Sequence, residues 1–190
     1  MRFIKIWLLL VVIVLAGGLF YFSESFTANS TETVDNTEIG GPFSLTDQHG
    51  KKISDQNFKG KFMLIYFGFT NCPGTCPVDM AAMTEALKKL GDNAKKIAPI
   101  FITIDPKHDT PQHLTKYLKN YYPAFTGLTG TEAELTSTRK EYKVFAEESA
   151  AGVFNHSSHI YLMDKDGKYL THFDSGIDAG ELATKIKEYL

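Results

Sequence analysis

The chain has 190 residues, a net charge of −2 and two cysteines, with apolar residues at 43% and charged residues at 22%. That balance excludes a disordered chain and gives no sign of a nucleic-acid partner. Two cysteines are too few for a disulfide-stapled secreted scaffold, and the length suits one domain with a sizeable core.

Arg2 and Lys5 precede residues 6–22, IWLLLVVIVLAGGLFYF, which carry no charge. At 1.5 Å per residue this run nearly crosses a bilayer core of ~30 Å. A cleaved signal peptide and a retained anchor compete for it. The run exceeds a typical signal core and lacks a small-x-small cleavage site, so residues 1–22 read as a transmembrane anchor. The basic residues stay inside, and Glu24, Glu32, Asp35 and Glu38 follow outside. The rest therefore faces an extracytoplasmic space. Residues 23–41, rich in Ser, Thr, Asn and acids, read as a flexible tether, and residues 42–190 as the folded domain.

Residues 43–54 predict a β-hairpin turning at Asp47 to Gly50. Residues 62–69 form a continuously apolar run, expected of a strand covered on both faces. It ends in a loop holding Cys72 and Cys76, and helical spacing follows from Val78 to Leu90 with Gly91 as its stop. A second buried strand is expected at 97–104. Thr110-Pro111 predicts a helix start for 111–121, residues 124–128 a short strand, and Thr131 with Glu134 a capping box for a helix to about 142. A further strand is expected at 142–145. Residues 158–163 and 168–173 flank a hairpin turn at Asp164 to Gly167, and Asp178 starts the last helix. This alternation predicts an α/β fold with a mostly parallel sheet. The cysteine pair at a helix start and the closing hairpin-helix suggest a thioredoxin-like fold with an N-terminal β-hairpin and inserted elements.

A disulfide across so short a loop would restrict the unfolded chain little, so stability is a poor reason for the pair. A helix start beside Cys76 favours thiolate, the form that ligates metal and exchanges disulfides. Two thiolates are too few for structural zinc, whereas thiolate with imidazole suits copper, so the third ligand should be a distant histidine. His49, His108, His113 and His172 read as surface residues. His156 and His159 stand at the entry to the strand that opens the last hairpin, beside the cysteine loop in a thioredoxin-like fold. Asp105 and Asp109 follow a buried strand near that loop; they can hydrogen-bond the site or attract a partner, and a cap or turn serves equally for Asp109.

FTNCPGTCP, TIDPKHDTPQHL and NHSSHIYLMDKDG together resemble the Sco/SenC family of copper chaperones for cytochrome c oxidase assembly. The resemblance runs from about Pro42 to the C-terminus, and an anchor ahead of the domain is also typical. It implies Cys72, Cys76 and His156 as ligands of Cu(I) or Cu(II), with His156 preferred over His159. It also implies a partner in the copper A subunit of the oxidase, alongside other copper carriers. Asn155 replaces the Asp that commonly precedes the ligand histidine. The alternative activity is an extracytoplasmic thiol-disulfide oxidoreductase, reducing the oxidase copper-site cysteines, with Cys72 attacking and Cys76 resolving. A peroxiredoxin reading fails: Tyr66 stands where its motif needs proline, and Arg139 is the only arginine after Arg2.

Overall fold

The computed structural model describes residues 39–190, apart from residue 151. The expected anchor at 1–22 and nearly all of the tether lie outside the described residues. Among the described residues no helix is long and apolar enough to cross a membrane.

Among the described residues, nine strands and four α-helices make the fold. In chain order they are β1 (Ser44–Asp47), β2 (Lys52–Ser54), β3 (Phe62–Gly68), α1 (Thr75–Leu90), β4 (Ile97–Thr103), α2 (Pro111–Leu118) and β5 (Thr126–Thr129). There follow α3 (Glu132–Glu141), β6 (Ala146–Ala150), β7 (Val153–His156), β8 (His159–Met163), β9 (Tyr169–Asp174) and α4 (Ala179–Lys187). Seven strands form one sheet in the order β2-β1-β5-β4-β3-β8-β9.

The apolar runs at β3 and β4 became the middle of this sheet, and every residue of both strands is buried. They pair in parallel, as do β4 and β5. The remaining pairings are antiparallel, so the sheet is mixed rather than mostly parallel. The reason is local. Each margin of the sheet is built from a hairpin, and a hairpin can join only antiparallel strands.

Residues that face each other across paired strands share a sheet face. Tyr66, Phe101 and Gly127 line one face, with Phe101 against Tyr117 of α2 and Gly127 against Leu114 and Leu118. α1 covers the same face through Cys76, which lies against Gly68, and α4 packs beside α1. The other face presents Phe67 and Tyr161 to Tyr142, at the end of α3. Burying each such large side chain contributes roughly 1.5–3 kcal/mol, which is why continuous apolar runs mark the middle of the sheet.

Helix ends follow the sequence signals. Thr110 accepts from His113 N with Pro111 in the first turn. Thr131 and Glu134 form a complete capping box. Asp178 accepts from Gly180 N and Glu181 N. Gly91 ends α1 at φ +56, a backbone conformation costly for residues with a side chain. α1 begins at Thr75 rather than Val78, so Cys76 and Pro77 lie in its first turn, where the missing Pro N–H costs nothing. The strand expected at 142–145 is a turn, with Lys143 at φ +54, and the strand begins at Ala146 instead.

Candidate metal centre

The cysteine loop leaves the carboxyl end of β3, the end of a parallel strand at which α/β sheets place their ligands. The turn starts with Cys72 N donating to Phe69 O at 3.2 Å. Cys72 is half-buried and Cys76 has no exposed surface. Both are free thiols, and Cys76 N points at Cys72 Sγ at 3.5 Å.

His156 arrives from the hairpin of β6 and β7, in which Ala146 pairs with His156 and Glu147 with Asn155. Phe69 packs the hairpin against the cysteine loop. Phe69 lies 5.2 Å from the ring of Phe154 and meets the His156 ring edge-on at 5.9 Å, centroid to centroid. His156 Nε2 then lies 3.8 Å from Cys76 Sγ. The donor atoms of Cys72, Cys76 and His156 are all within 4.8 Å of one another.

The protonation of the imidazole follows from its other nitrogen. His156 Nδ1 is 2.9 Å from Ser157 O. A carbonyl oxygen only accepts, so Nδ1 carries the proton and Nε2 presents its lone pair toward the sulfurs. Burial holds the imidazole below the usual histidine range, which keeps the neutral, ligating form. The Ser157 carbonyl thus orients the imidazole in this chain, where Asn155 stands in place of the Asp that commonly precedes the ligand histidine. Bonds of about 2.3 Å to sulfur and 2.0 Å to nitrogen put such donors about 3.5–3.7 Å apart. The spacing between Cys76 and His156 fits a shared soft metal ion with almost no movement.

Cys76 departs from the sequence expectation. Its place in the first turn of α1 should favour thiolate, yet burial pushes the thiol up to about 12, and the neighbouring Cys72 adds to that shift. Tyr66, also buried, presents its hydroxyl near Cys76 and Asp79 without a hydrogen-bond partner among the described residues. Desolvation therefore outweighs the helix dipole, whose effect is typically only 0.3–1 kcal/mol at exposed sites.

Asp109 sits behind the loop. Fully buried, it accepts from Thr70 N at 3.1 Å and from the hydroxyls of Thr70 and Thr103, so it ties the cysteine loop to the end of β4. Burial pushes its carboxyl up against the opposing effect of these donors. Asp105 has a different role: its Oδ2 holds His108 Nδ1 at 2.7 Å and its Oδ1 has no partner among the described residues. His49, His108 and His113 lie exposed, and none joins the donor group of the two cysteines. His159 separates from His156 across the break at Ser157 and Ser158, and joins His172 instead.

The space behind Cys76 is tight. A Cβ on Gly68 would lie 3.0 Å from Cys76 Sγ, 2.8 Å from the Tyr66 ring and 3.2 Å from that of Phe101. Gly68→Ala is therefore expected to destabilise the protein by about 1–3 kcal/mol through overpacking. A thermal melt checks this, and an unchanged melting temperature would show that the sulfur yields freely.

The family model described as SCO1/SenC matches residues 31–190. An SCO2-like protein of Rickettsia conorii is 45% identical over 145 residues, which cover 73% of this chain and 71% of that one. The structure resembles Bradyrhizobium japonicum ScoI with copper bound, at 40% identity and a TM-score of 0.74, covering 80% of this chain and 99% of that one. It also resembles BsSco, a Sco-family oxidase assembly protein in which a disulfide switch was identified, at 29% identity and a TM-score of 0.66, covering 81% and 95%.

Proposed function

The chain belongs to the SCO1/SenC family, and from that premise we propose that it is a copper metallochaperone. It carries copper as cargo on Cys72, Cys76 and His156 and delivers it to the copper A centre of cytochrome c oxidase during assembly. The domain works on the extracytoplasmic side, tethered through residues 23–41 to an anchor at 1–22. The observation that carries this reading is the convergence of two sulfurs and one neutral imidazole nitrogen within 4.8 Å. Two thiolates with one imidazole form a soft donor set suited to Cu(I), and loading displaces the thiol protons. The copper-bound state of the Bradyrhizobium relative supports the same cargo.

Thiol-disulfide exchange is the second reading, favoured by the two free thiols beside each other and by the disulfide switch of BsSco. Half-buried Cys72 is the attacking sulfur and sheltered Cys76 the resolving one. Oxidation consumes both thiolates, so loaded and oxidised states exclude each other.

The reduced full chain in detergent should bind one Cu(I) equivalent, and the Cys72→Ser/Cys76→Ser double variant none, measured by competition against a chromophoric Cu(I) chelator. Full retention of copper by the double variant would remove the metallochaperone reading.

A further inference from the structure

A second cluster of donors lies on the other face of the sheet. Ile65 pairs with Tyr161 and Tyr66 with Ile160, so Tyr161 faces away from the Cys76 side that Tyr66 lines. Across β8 and β9, His159 pairs with Asp174 and Tyr161 with His172. His159, His172 and Asp174 therefore share the face opposite the cysteines, next to the free margin of β9. Each offers one ligand atom, and these lie within 4.8 Å of one another.

Three details point to a cation-binding site rather than to a self-contained hydrogen-bond cluster. His159 Nδ1 is buried and has no hydrogen-bond partner among the described residues. A buried polar atom left so is costly to the fold. It lies 3.4 Å from Asp174 Oδ1 without hydrogen-bond geometry. Bonds of about 2.0–2.1 Å in tetrahedral geometry place two donors about 3.3–3.4 Å apart, so this pair is already spaced for one ion. His172 stands with its ring centroid 4.7 Å from that of His159, and its Nδ1 is engaged by Tyr169 OH at 2.6 Å. With Nδ1–H donating to the Tyr169 oxygen the ring is oriented and Nε2 keeps the lone pair that an ion can take, the arrangement common among metal-ligating histidines.

We propose that His159, His172 and Asp174 form a second, open site for a borderline divalent cation of the zinc class. Two imidazoles and one carboxylate suit such ions and lack the thiolates that select Cu(I). Asp174 is 87% exposed in its side chain, so a fourth position is open to water or to a ligand from a partner. The site shares no donor with the cysteine centre and stands whether or not that centre carries copper.

The test uses the full chain in detergent with Cys72→Ser/Cys76→Ser, which removes thiolate binding, titrated with zinc chloride by calorimetry. One zinc equivalent is expected. Asp174→Asn and His172→Asn, each added to this background, should each weaken it at least about tenfold. Both side chains are exposed, so unfolding would not explain such losses, and a melt of each variant checks that. The absence of zinc binding in the double variant overturns the proposal. So does unchanged affinity after either added substitution. Copper stoichiometry of the chain with intact cysteines should stay the same in Asp174→Asn.

Discussion

Replacing His156 by alanine is expected to weaken Cu(I) binding by about a hundredfold or more while disulfide exchange by Cys72 and Cys76 continues near its original rate. Outer-shell changes at metal sites already cost 10–100-fold, and a lost ligand costs at least the upper end of that range. The exchange reaction needs only the two sulfurs, which α1 and the loop position without help from the hairpin of β6 and β7. The variant therefore separates carrier from reductase in one protein. His159→Ala is the matched control, because His159 lies with His172 and Asp174 and should leave Cu(I) affinity unchanged. The folded state should lose only about 1 kcal/mol in His156→Ala, since the ring is half-buried and its one strong partner is a peptide carbonyl. Competition against a Cu(I) chelator and a thiol-exchange assay read the two arms. Equal losses in both would mean that the imidazole holds the sulfurs in place rather than binding the cargo.

The middle of the sheet could be read from sequence because its signals are local. The run at β3 is continuously apolar and that at β4 is apolar up to Thr103, and Thr110-Pro111, Thr131 with Glu134, and Asp178 cap helices through contacts a few residues apart. What escaped depends on long-range contacts. The strand β6, AEESA, has no apolar alternation, and its hairpin is fixed by Phe154 packing on Phe69, far away in the chain. The element that delivers His156 was therefore missed although the histidine was singled out. The helix start that favours thiolate at Cys76 is visible in sequence, whereas the complete burial beneath Tyr66 and Gly68 that opposes it is not. In sequence His172 reads as a surface residue and His159 as a second imidazole beside the cysteine loop; strand register sets the two side by side instead. The motif at Asp105 and Asp109 lay between those extremes. Its position near the loop could be inferred, but not which carboxylate reaches it.

Asp109→Ala should destabilise the protein by about 2–4 kcal/mol, the scale of one or two buried donors left without an acceptor. The arithmetic follows from three donors. Thr70 N–H, Thr70 Oγ1 and Thr103 Oγ1 all converge on this carboxyl group. Removing it leaves a buried backbone N–H and two hydroxyls to find other partners, at about 1–3 kcal/mol for each that fails. The hydroxyls can rotate and recover part of this, whereas the Thr70 N–H is fixed by its backbone. Asp109→Asn keeps an accepting oxygen for that N–H and should recover more than half of the loss. The effect reaches the candidate centre because Thr70 lies two residues before Cys72. In the alanine variant the loop is no longer tied to the end of β4, so Cu(I) affinity should fall even at temperatures where the domain remains folded. Chemical denaturation and Cu(I) competition on the same preparations check both parts. A large loss of stability with copper affinity intact would make Asp109 a pillar of the fold alone, with the cysteine loop held by α1 and the turn at Phe69.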